Sequence, residues 1–425
     1  MSLTRRGFLA SAGILSGTLI SPGRSAAQQL ERPAGDAARV AQDEEFWQRV
    51  AGQYRVTDKV INLEAGYWGM MATPVADDYA RHIERVNRES SYYARRAFGA
   101  DLAAVRRRVA TFLRVEPEEI AFARSATESL YALIGGYNKL KAGDAVLYAD
   151  LDYPAMQNAM RSLAERRGAE PIRVTIPEPA SYDNVLSTYT AALDKHPNVR
   201  LVLLTHVSNK TGLVIPSAAL TTAARSRGAD TIVDAAHAIG QIDLAIPDLG
   251  ADFVGFNLHK WIGAPLGVAA FYIKKSRLAD IDRMMGEQGE TIDSRIHTGT
   301  TNFAAFLTIP AALDFHEAIG RAHKAARLRY LRDRWVRAAR ELPHVQVLTP
   351  DDPRMSAGIT SFRLRGQTAT ATDHERVVET LLTRHGIFTR RSTGVDGGDC
   401  VRVTPSLYTK PADVDRLAGA LRELA

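Results

Sequence analysis

The chain has 425 residues, of which 45% are hydrophobic and 24% charged, a composition typical of a soluble globular protein long enough for two domains. The net charge is +6, but the basic residues do not form a stripe interleaved with aromatic residues. This argues against a nucleic-acid partner. The single cysteine, Cys400, excludes an intrachain disulfide and a cysteine-only metal site, so we expect no metal.

Residues 1–27 have the layout of an export signal. Arg5 and Arg6 form a twin-arginine pair, a weakly apolar run covers residues 10–20, and small residues occupy 25–27. This order is that of a signal peptide, and the apolar run is too short to span a bilayer. We therefore expect the twin-arginine machinery to export the folded protein to the periplasm, after it has received any cytosolic cofactor.

Helix-like and strand-like segments alternate after a polar linker at residues 28–45, and this alternation predicts an α/β domain. The arginines at 106–108 are expected on a solvated helix face. Helices are predicted at Val75–Val86, Leu102–Leu113, Val185–Leu193 and Phe303–Ala318. Short apolar runs predict strands near Val60 and at Glu119–Ala123, Ala145–Tyr148, Pro171–Ile176, Val199–Thr205, Thr231–Val233, Phe253–Phe256 and Val268–Ile273.

A long basic helix at residues 321–342 is expected to join a large domain, 46–320, to a small α+β domain, 321–425. The segment 46–72 is expected to contribute to the small domain and the substrate mouth. In the small domain, strands are predicted at Ala357–Leu364, Gly386–Arg390 and Cys400–Thr404, and helices at Asp373–Thr383 and Ala412–Leu424.

Two polar side chains follow apolar runs in the centre of the chain: Asp234 after residues 231–233, and Lys260 just past 253–256. An Asp there is commonly a helix N-cap, and a Lys is commonly exposed. However, ligands of open α/β sheets lie beyond the carboxyl ends of the strands. A carboxylate and an amine at that edge indicate pyridoxal phosphate (PLP), because the amine forms a Schiff base with the aldehyde and the carboxylate keeps the pyridine nitrogen protonated.

The motif around these two residues is highly specific. D-x-A-H-A at 234–238 and A-D-x-x-x-x-N-x-H-K-W at 251–261 resemble the class V aminotransferase superfamily of PLP enzymes, and within it the isopenicillin N epimerase-like branch. The resemblance runs from about residue 61 to the C-terminus. It implies the PLP-dependent transferase fold type I, with a mostly parallel seven-stranded sheet and a smaller C-terminal domain.

The resemblance also implies roles for the central residues. Lys260 would be the Schiff-base lysine and Asp234 the partner of the pyridine nitrogen. His237 would lie near the phenolic oxygen of the cofactor, and Asn257 and His259 near its phosphate.

Three upstream segments are similar to cofactor-binding segments of the family. In R-x-[ST]-T-E at 124–128, Ala126 replaces a hydroxyl residue, so backbone N–H groups and Thr127 are expected to bind the phosphate at a helix N-terminus. The aromatic-Pro-Ala segment places Tyr153 on the pyridine ring, and H-V-S-N-x-x-G places Asn209 at the phenolic oxygen. The alternatives are a helix N-cap, a packed turn tyrosine and a turn asparagine.

The resemblance also implies contacts with the substrate and with a partner subunit, made by three segments of the chain. Gly66, Tyr67 and Trp68 resemble a segment that lines the substrate mouth, although a plain turn explains them equally well. The R-x-[ST]-x-x-x-Y pattern makes Arg402 the residue that grips the substrate carboxylate in a bidentate pair. The R-x-x-x-G-T pattern places Thr300 against the phosphate of a partner subunit, which implies a homodimer whose active site the partner completes.

One reaction class is disfavoured by the residues themselves. Desulfurases of this superfamily carry a catalytic cysteine in an R-x-G-x-x-C pattern. Aligning its arginine on Arg390 places Val395 at the cysteine position, and Cys400 is expected to be a small buried residue. Lys210 is rejected as the Schiff-base lysine because it lies in a turn, away from the H-K-W position.

We expect an aminotransferase-like reaction at the Cα-amino group of an amino acid, or of an amino-acid residue in a small peptide. An epimerase or racemase is the second hypothesis, and a C–S β-lyase the third. A non-catalytic PLP-binding protein is the alternative outside enzymes. The joint presence of Lys260, Asp234 and Arg402 argues against it, because a scaffold needs no substrate clamp.

Overall fold

The computed structural model describes residue 30 and residues 33–366 and 371–424. The export signal expected at 1–27, and part of the linker expected at 28–45, lie outside the described residues. In the described part of the chain, no helix is both long and apolar enough to cross a membrane.

The first elements pack beside the main sheet. They are α1 (Ala37–Val40), α2 (Glu44–Ala51), β1 (Ile61–Asn62), α3 (Thr73–Arg96) and α4 (Phe98–Leu113). Within residues 28–45, α1 and the start of α2 form, each capped by an Asp side chain. On the predicted arginine face, Arg107 is exposed, while Arg106 pairs with Asp293 at 2.6 Å and Arg108 with Asp314 at 2.8 Å, so α4 is joined to later segments.

A sheet of seven strands, counted within the described residues, forms the centre of the molecule. The next elements are β2 (Ile120–Ala123), α5 (Ala126–Gly136), β3 (Ala145–Ala149), α6 (Pro154–Arg167), β4 (Glu170–Val174), α7 (Tyr182–Lys195), β5 (Val199–Thr205), α8 (Ser217–Arg225), β6 (Asp230–Asp234), β7 (Phe253–Asn257) and β8 (Ala269–Ile273). The strand order is β2-β8-β7-β6-β5-β3-β4. Only the pairs that include β8 are antiparallel, so the predicted α/β fold with a mostly parallel sheet is confirmed.

The carboxyl ends of β5, β6 and β7 lie side by side at one edge of this sheet, because the three strands are parallel neighbours. Every residue of β7, and all but the first of β6, is buried. Polar side chains can therefore reach a ligand only from the strand ends and the loops that follow, which is where open α/β sheets bind ligands.

The helix predicted at 303–318 is interrupted. The elements are α9 (Phe303–Leu307), α10 (Ile309–Ile319) and α11 (Arg321–Arg340). Pro310 lies in the first turn of α10. Proline has no N–H, and its ring clashes with the carbonyl four residues earlier, so the regular hydrogen bonding is interrupted at Thr308, whose backbone remains in the αR region.

The C-terminal region is α+β. Its elements are β9 (Val345–Val347), β10 (Thr360–Leu364), α12 (Ala371–His385), β11 (Ile387–Phe388), β12 (Arg390–Ser392), β13 (Cys400–Val403) and α13 (Pro411–Arg422). The sheet order is β12-β13-β10-β9, and β1 pairs in parallel with β11. The strand predicted at 386–390 is therefore two strands in different sheets. The chain after β1 runs next to β13, since Leu63 O accepts from Thr404 N at 2.7 Å.

Candidate active site

A cavity of about 290 Å³ lies at the carboxyl ends of β5, β6 and β7, close to the lower end of the range for ligand pockets. All the site residues predicted from the sequence line it, with one exception. They are Gly66, Tyr67, Trp68, Ala126, Thr127, Tyr153, Asn209, Asp234, His237, Asn257, His259, Lys260 and Arg402. The exception is Thr300, which is exposed in the loop before α9.

Lys260 and Asp234 enter this cavity from neighbouring strands. Asp234 is the last residue of β6, its side chain is buried, and it accepts a hydrogen bond from Ala236 N at 2.9 Å. Lys260 lies three residues past β7, and its Nζ is 3.0 Å from His237 Nε2. Trp261 Nε1 approaches the other ring nitrogen of His237 at 3.4 Å. The amine, the imidazole and the carboxylate therefore share one compartment.

Burial controls the charges in this compartment. It lowers the pKa of Lys260 to about 8, helped by the nearby Arg402 and opposed by Asp234. Burial, and then the positive charge of Lys260, hold the pKa of His237 well below its usual value. Burial raises the pKa of Asp234, while the Ala236 N–H and Lys260 act against that rise. At neutral pH a neutral imidazole therefore faces an amine that loses its proton easily.

The N-terminus of α5 forms the second end of the cavity. Ser125 caps the helix by accepting from Glu128 N at 3.1 Å. Ala126 N donates to Asn257 Oδ1 at 2.8 Å, so this N–H, which was expected to bind phosphate, is already engaged within the protein. Thr127 remains as the hydroxyl of the first helical turn that lines the cavity.

His259 lies at the same end. Its Nδ1 is 2.9 Å from Val268 O, and burial lowers the pKa of the ring to about 4. A neutral ring that donates from Nδ1 to a carbonyl keeps Nε2 unprotonated.

Asn209 is the clearest sign that the cavity is built for a ligand. Its Oδ1 is buried and has no hydrogen-bond partner among the described residues, an arrangement that costs free energy until a donor arrives. Tyr153, 39% exposed, lies just before α6. The turn that carries it is held by Asp152, which accepts from Ala149 N at 2.7 Å and Thr205 N at 3.0 Å.

The segment after β1 covers the mouth. Gly69 N donates to His259 O at 2.8 Å, and a Cβ on Gly69 would lie 1.7 Å from Lys260 O, so only glycine allows this approach. Tyr67 and Trp68 are 67% and 47% exposed, and their rings meet edge to face at 5.2 Å.

Two charged residues were missed by the sequence predictions. Arg390, on β12, lines the cavity. Glu64 forms a buried ion pair with Arg402: Arg402 Nε donates to one carboxylate oxygen at 3.3 Å and Nη2 donates to the other. Two features of the sequence could have indicated these residues. Glu64 is an acidic residue two positions before Gly66, and Arg390 is the arginine aligned with the desulfurase pattern.

Lys210 is engaged elsewhere. It is buried, and its Nζ donates to Gly394 O at 2.7 Å and to Asp150 O. Cys400 is fully buried, and burial raises its thiol pKa to about 11.

A family model described as aminotransferase class-V matches residues 73–417. The chain belongs to the class V aminotransferase family.

The relatives of this class V protein have different activities. Isopenicillin N epimerase of Streptomyces clavuligerus is 27% identical over 398 residues, which cover 89% of this chain and 98% of the relative. A probable cysteine desulfurase of Vibrio cholerae is 26% identical, and the match covers 81% of this chain and 87% of the relative.

The fold has a close match among solved structures. A C-DES variant with glycine covalently linked to its PLP cofactor matches with a TM-score of 0.76 and 21% identity, covering 87% of this chain and 98% of that one. The fold is therefore PLP-dependent fold type I. Family and fold together indicate pyridoxal phosphate as the cofactor.

Proposed function

We propose that this class V enzyme binds pyridoxal phosphate in the cavity and catalyses an aminotransferase-like reaction. Its substrate would be the Cα-amino group of an amino acid or of a peptide-linked amino acid. The observation that carries the proposal is the shared cavity of Lys260 and Asp234 at the ends of adjacent parallel strands. A depressed amine pKa and a buried carboxylate in one cleft are typical of a catalytic site.

The lining residues fit the chemical groups of this cofactor. Asp234 would hold the pyridine nitrogen, Asn209 and His237 the phenolic oxygen, and Tyr153 one face of the ring. Asn209 Oδ1 is a buried acceptor that has no donor among the described residues. Residues that would surround the phosphate are Thr127, Asn257 and His259. When bound, pyridoxal phosphate supplies an aldehyde that captures amines and a ring that withdraws electrons from Cα.

Lys260 is the residue proposed to move the proton. With a pKa of about 8, its Nζ is close to the pKa that suits a general base at neutral pH. A single amine can remove a proton from the substrate Cα and return it to another atom on the same side, which is the proton transfer that transamination requires. His237 Nε2, at 3.0 Å from Nζ, holds the amine in place.

Epimerisation is the second candidate, because the Streptomyces relative is named as an epimerase. It requires a proton donor on the opposite side of Cα, where Lys260 cannot reach. Persulfide chemistry is disfavoured, because Val395 occupies the aligned cysteine position and the single thiol, Cys400, is fully buried.

The reaction class can be decided with the cofactor-loaded enzyme and a panel of amino acids and short peptides in deuterated water. We expect keto products and a spectroscopic change of the cofactor to its aminated form, which a keto acid reverses. Deuterium at Cα with inverted configuration would establish epimerisation instead. Pyruvate released together with sulfide from cysteine, or with cysteine persulfide from cystine, would establish β-elimination.

We also propose that the enzyme is a homodimer in which Thr300 completes the cavity of the partner subunit. Thr300 is exposed and lies outside the cavity of its own chain. Tyr67, Trp68 and Leu266 line the mouth and are exposed large apolar side chains, which is typical of a surface that another chain covers. The molar mass in solution tests whether the enzyme is a dimer.

We propose that the protein is exported to the periplasm through the twin-arginine pathway, on the evidence of the residue pattern at 1–27. Replacing Arg5 and Arg6 together with lysine is expected to leave the precursor in the cytoplasm, because the pathway recognises the arginine pair. Cell fractionation and immunoblotting would measure this. Replacing Arg24 with lysine is the matched control, and undiminished export of the double variant would remove the proposal.

A further inference from the structure

The Arg402 guanidinium already holds a carboxylate of its own chain. Nε and Nη2 both donate to Glu64, and Nη1 donates to Asn209 O at 2.7 Å. The side chains of Arg402 and Glu64 are 2% and 7% exposed. The residue expected to grip the substrate α-carboxylate is thus neutralised by a buried acid.

The backbone fixes Glu64 in this position. Glu64 N donates to Asn62 Oδ1 at 2.9 Å, and Ala65 N donates to Thr404 O at 3.2 Å. A Cβ on Gly66 would lie 3.0 Å from Arg402 Nη2, so the chain packs directly against the guanidinium. These contacts hold Glu64 in the segment that runs next to β13. The residue of that neighbouring segment which accepts from Ala65 N, Thr404, lies two residues after Arg402.

A free α-carboxylate can pair with Nε and Nη2 of Arg402 only by displacing Glu64, and at the remaining guanidinium N–H groups it would lie near the Glu64 carboxylate, whose charge repels it. Displacement would leave the Glu64 carboxylate buried without its partner, and an unpaired buried charge is strongly unfavourable. A substrate whose Cα carries a neutral carboxamide avoids this penalty.

We propose that Glu64 determines specificity by occupying Arg402, so that the enzyme prefers amines whose α-carboxyl group is an amide, as at the N-terminus of a peptide, over free amino acids. The inference rests on the proposed function, and it specifies the substrate class of the same site. Glu64 thereby acts as a built-in substitute for the substrate carboxylate.

Glycine and glycinamide are suitable probes, since they share an amine and a Cα and differ in the charge of the carboxyl group. Each is titrated into the cofactor-loaded enzyme, and binding is followed by the change in visible absorption. We expect the wild-type enzyme to bind glycinamide more tightly. Glu64→Gln is expected to shift the glycine-to-glycinamide affinity ratio towards glycine by about 10-fold to 100-fold, the size of one charge-assisted hydrogen-bonded pair.

Two further variants complete the design. Glu64→Asp keeps the charge and is expected to retain most of the preference for glycinamide. Glu84→Gln removes an acid whose side chain is 75% exposed on α3, and it should leave both affinities unchanged. The comparison uses ratios at one pH, so the different amine basicities of the two probes cancel between enzymes.

A second readout does not depend on turnover. Acetate is expected to raise the melting temperature of Glu64→Gln more than acetamide does, because it restores a carboxylate to Arg402, and to have no such effect on wild type.

The inference is overturned if the wild-type enzyme binds glycine more tightly than glycinamide and the Glu64→Gln variant has the same glycine-to-glycinamide affinity ratio as wild type. This is the result expected if Arg390, and not Arg402, receives the carboxylate. If Glu64→Gln does not fold, the wild-type affinities, corrected for the fraction of each probe that is free amine at the pH used, decide the preference. Loss of the spectral response to both probes would instead overturn the proposed function.

Discussion

Replacing Lys260 with alanine is expected to abolish covalent capture of pyridoxal phosphate and to lower turnover on the order of 10⁴-fold, the upper range for losing a general base. Capture is measured by borohydride reduction of the loaded protein, followed by mass spectrometry of the peptide that contains residue 260. Lys141→Ala, at an exposed position, is the matched control and should retain full labelling. Labelling of the Lys260→Ala protein at another lysine would contradict the assignment.

The same site predicts a pH dependence. The free amine is the nucleophile, and burial lowers the pKa of Lys260 to about 8. The rate at which cofactor-free protein captures pyridoxal phosphate should therefore rise with pH and level off above about pH 8. A midpoint near the ordinary lysine value would mean that Nζ is not buried in solution.

Stability gives an independent check on Lys260. The pKa of Lys260 is lower in the folded than in the unfolded state. Below pH 8 the folded protein therefore carries a protonated, poorly solvated amine, which destabilises the folded state. The penalty decreases as the pH rises above 8. The alanine variant should consequently melt at the same temperature as wild type or higher at pH 7, which separates lost chemistry from lost folding.

Replacing Asp234 with asparagine is the second large effect. The side chain keeps its shape but loses the negative charge that would keep the pyridine nitrogen protonated. We expect turnover to fall by about 10²-fold to 10³-fold, as for removal of one preorganised electrostatic group. Covalent capture by Lys260 should persist, so the variant would be labelled but slow.

Asp230→Asn is the matched control for this change. Asp230 begins β6, at the opposite end from Asp234, and pairs with Arg277 at 2.7 Å. Its replacement should lower the melting temperature and leave turnover per folded molecule unchanged. Turnover of Asp234→Asn within threefold of wild type would show that this carboxylate does not face the cofactor ring.

The predicted strands around the site agree with the structure to within a residue or two. Val199–Thr205 is reproduced in full, and the run predicted at 231–233 forms the core of β6. Such runs are predictable because a strand buried on both faces needs consecutive apolar residues, whatever its neighbours. The segment predicted as a helix at 303–318 is helical except at Thr308, because Pro310 has no N–H to donate to the carbonyl of Phe306.

The end of the cavity that holds Lys260 and Asp234 was more predictable than the end formed by the N-terminus of α5. Lys260 and Asp234 follow two consecutive strands, and parallel neighbours place their carboxyl ends at one edge. Ala126 N, by contrast, donates to Asn257, 131 residues away in the chain. No local sequence pattern indicates that this N–H is already hydrogen-bonded within the protein.

The sequence by itself determined the strand–helix alternation, the central motif and the lysine and aspartate that line one cavity, because these depend on residues close together in the chain. Only the tertiary structure decided the state of Arg402. Its partner Glu64 lies 338 residues earlier, and the pairing arises because the segment after β1 runs along β13. An ion pair of this kind forms when segments that are distant in the chain pack together, and the residues close to Arg402 in sequence do not indicate that it forms.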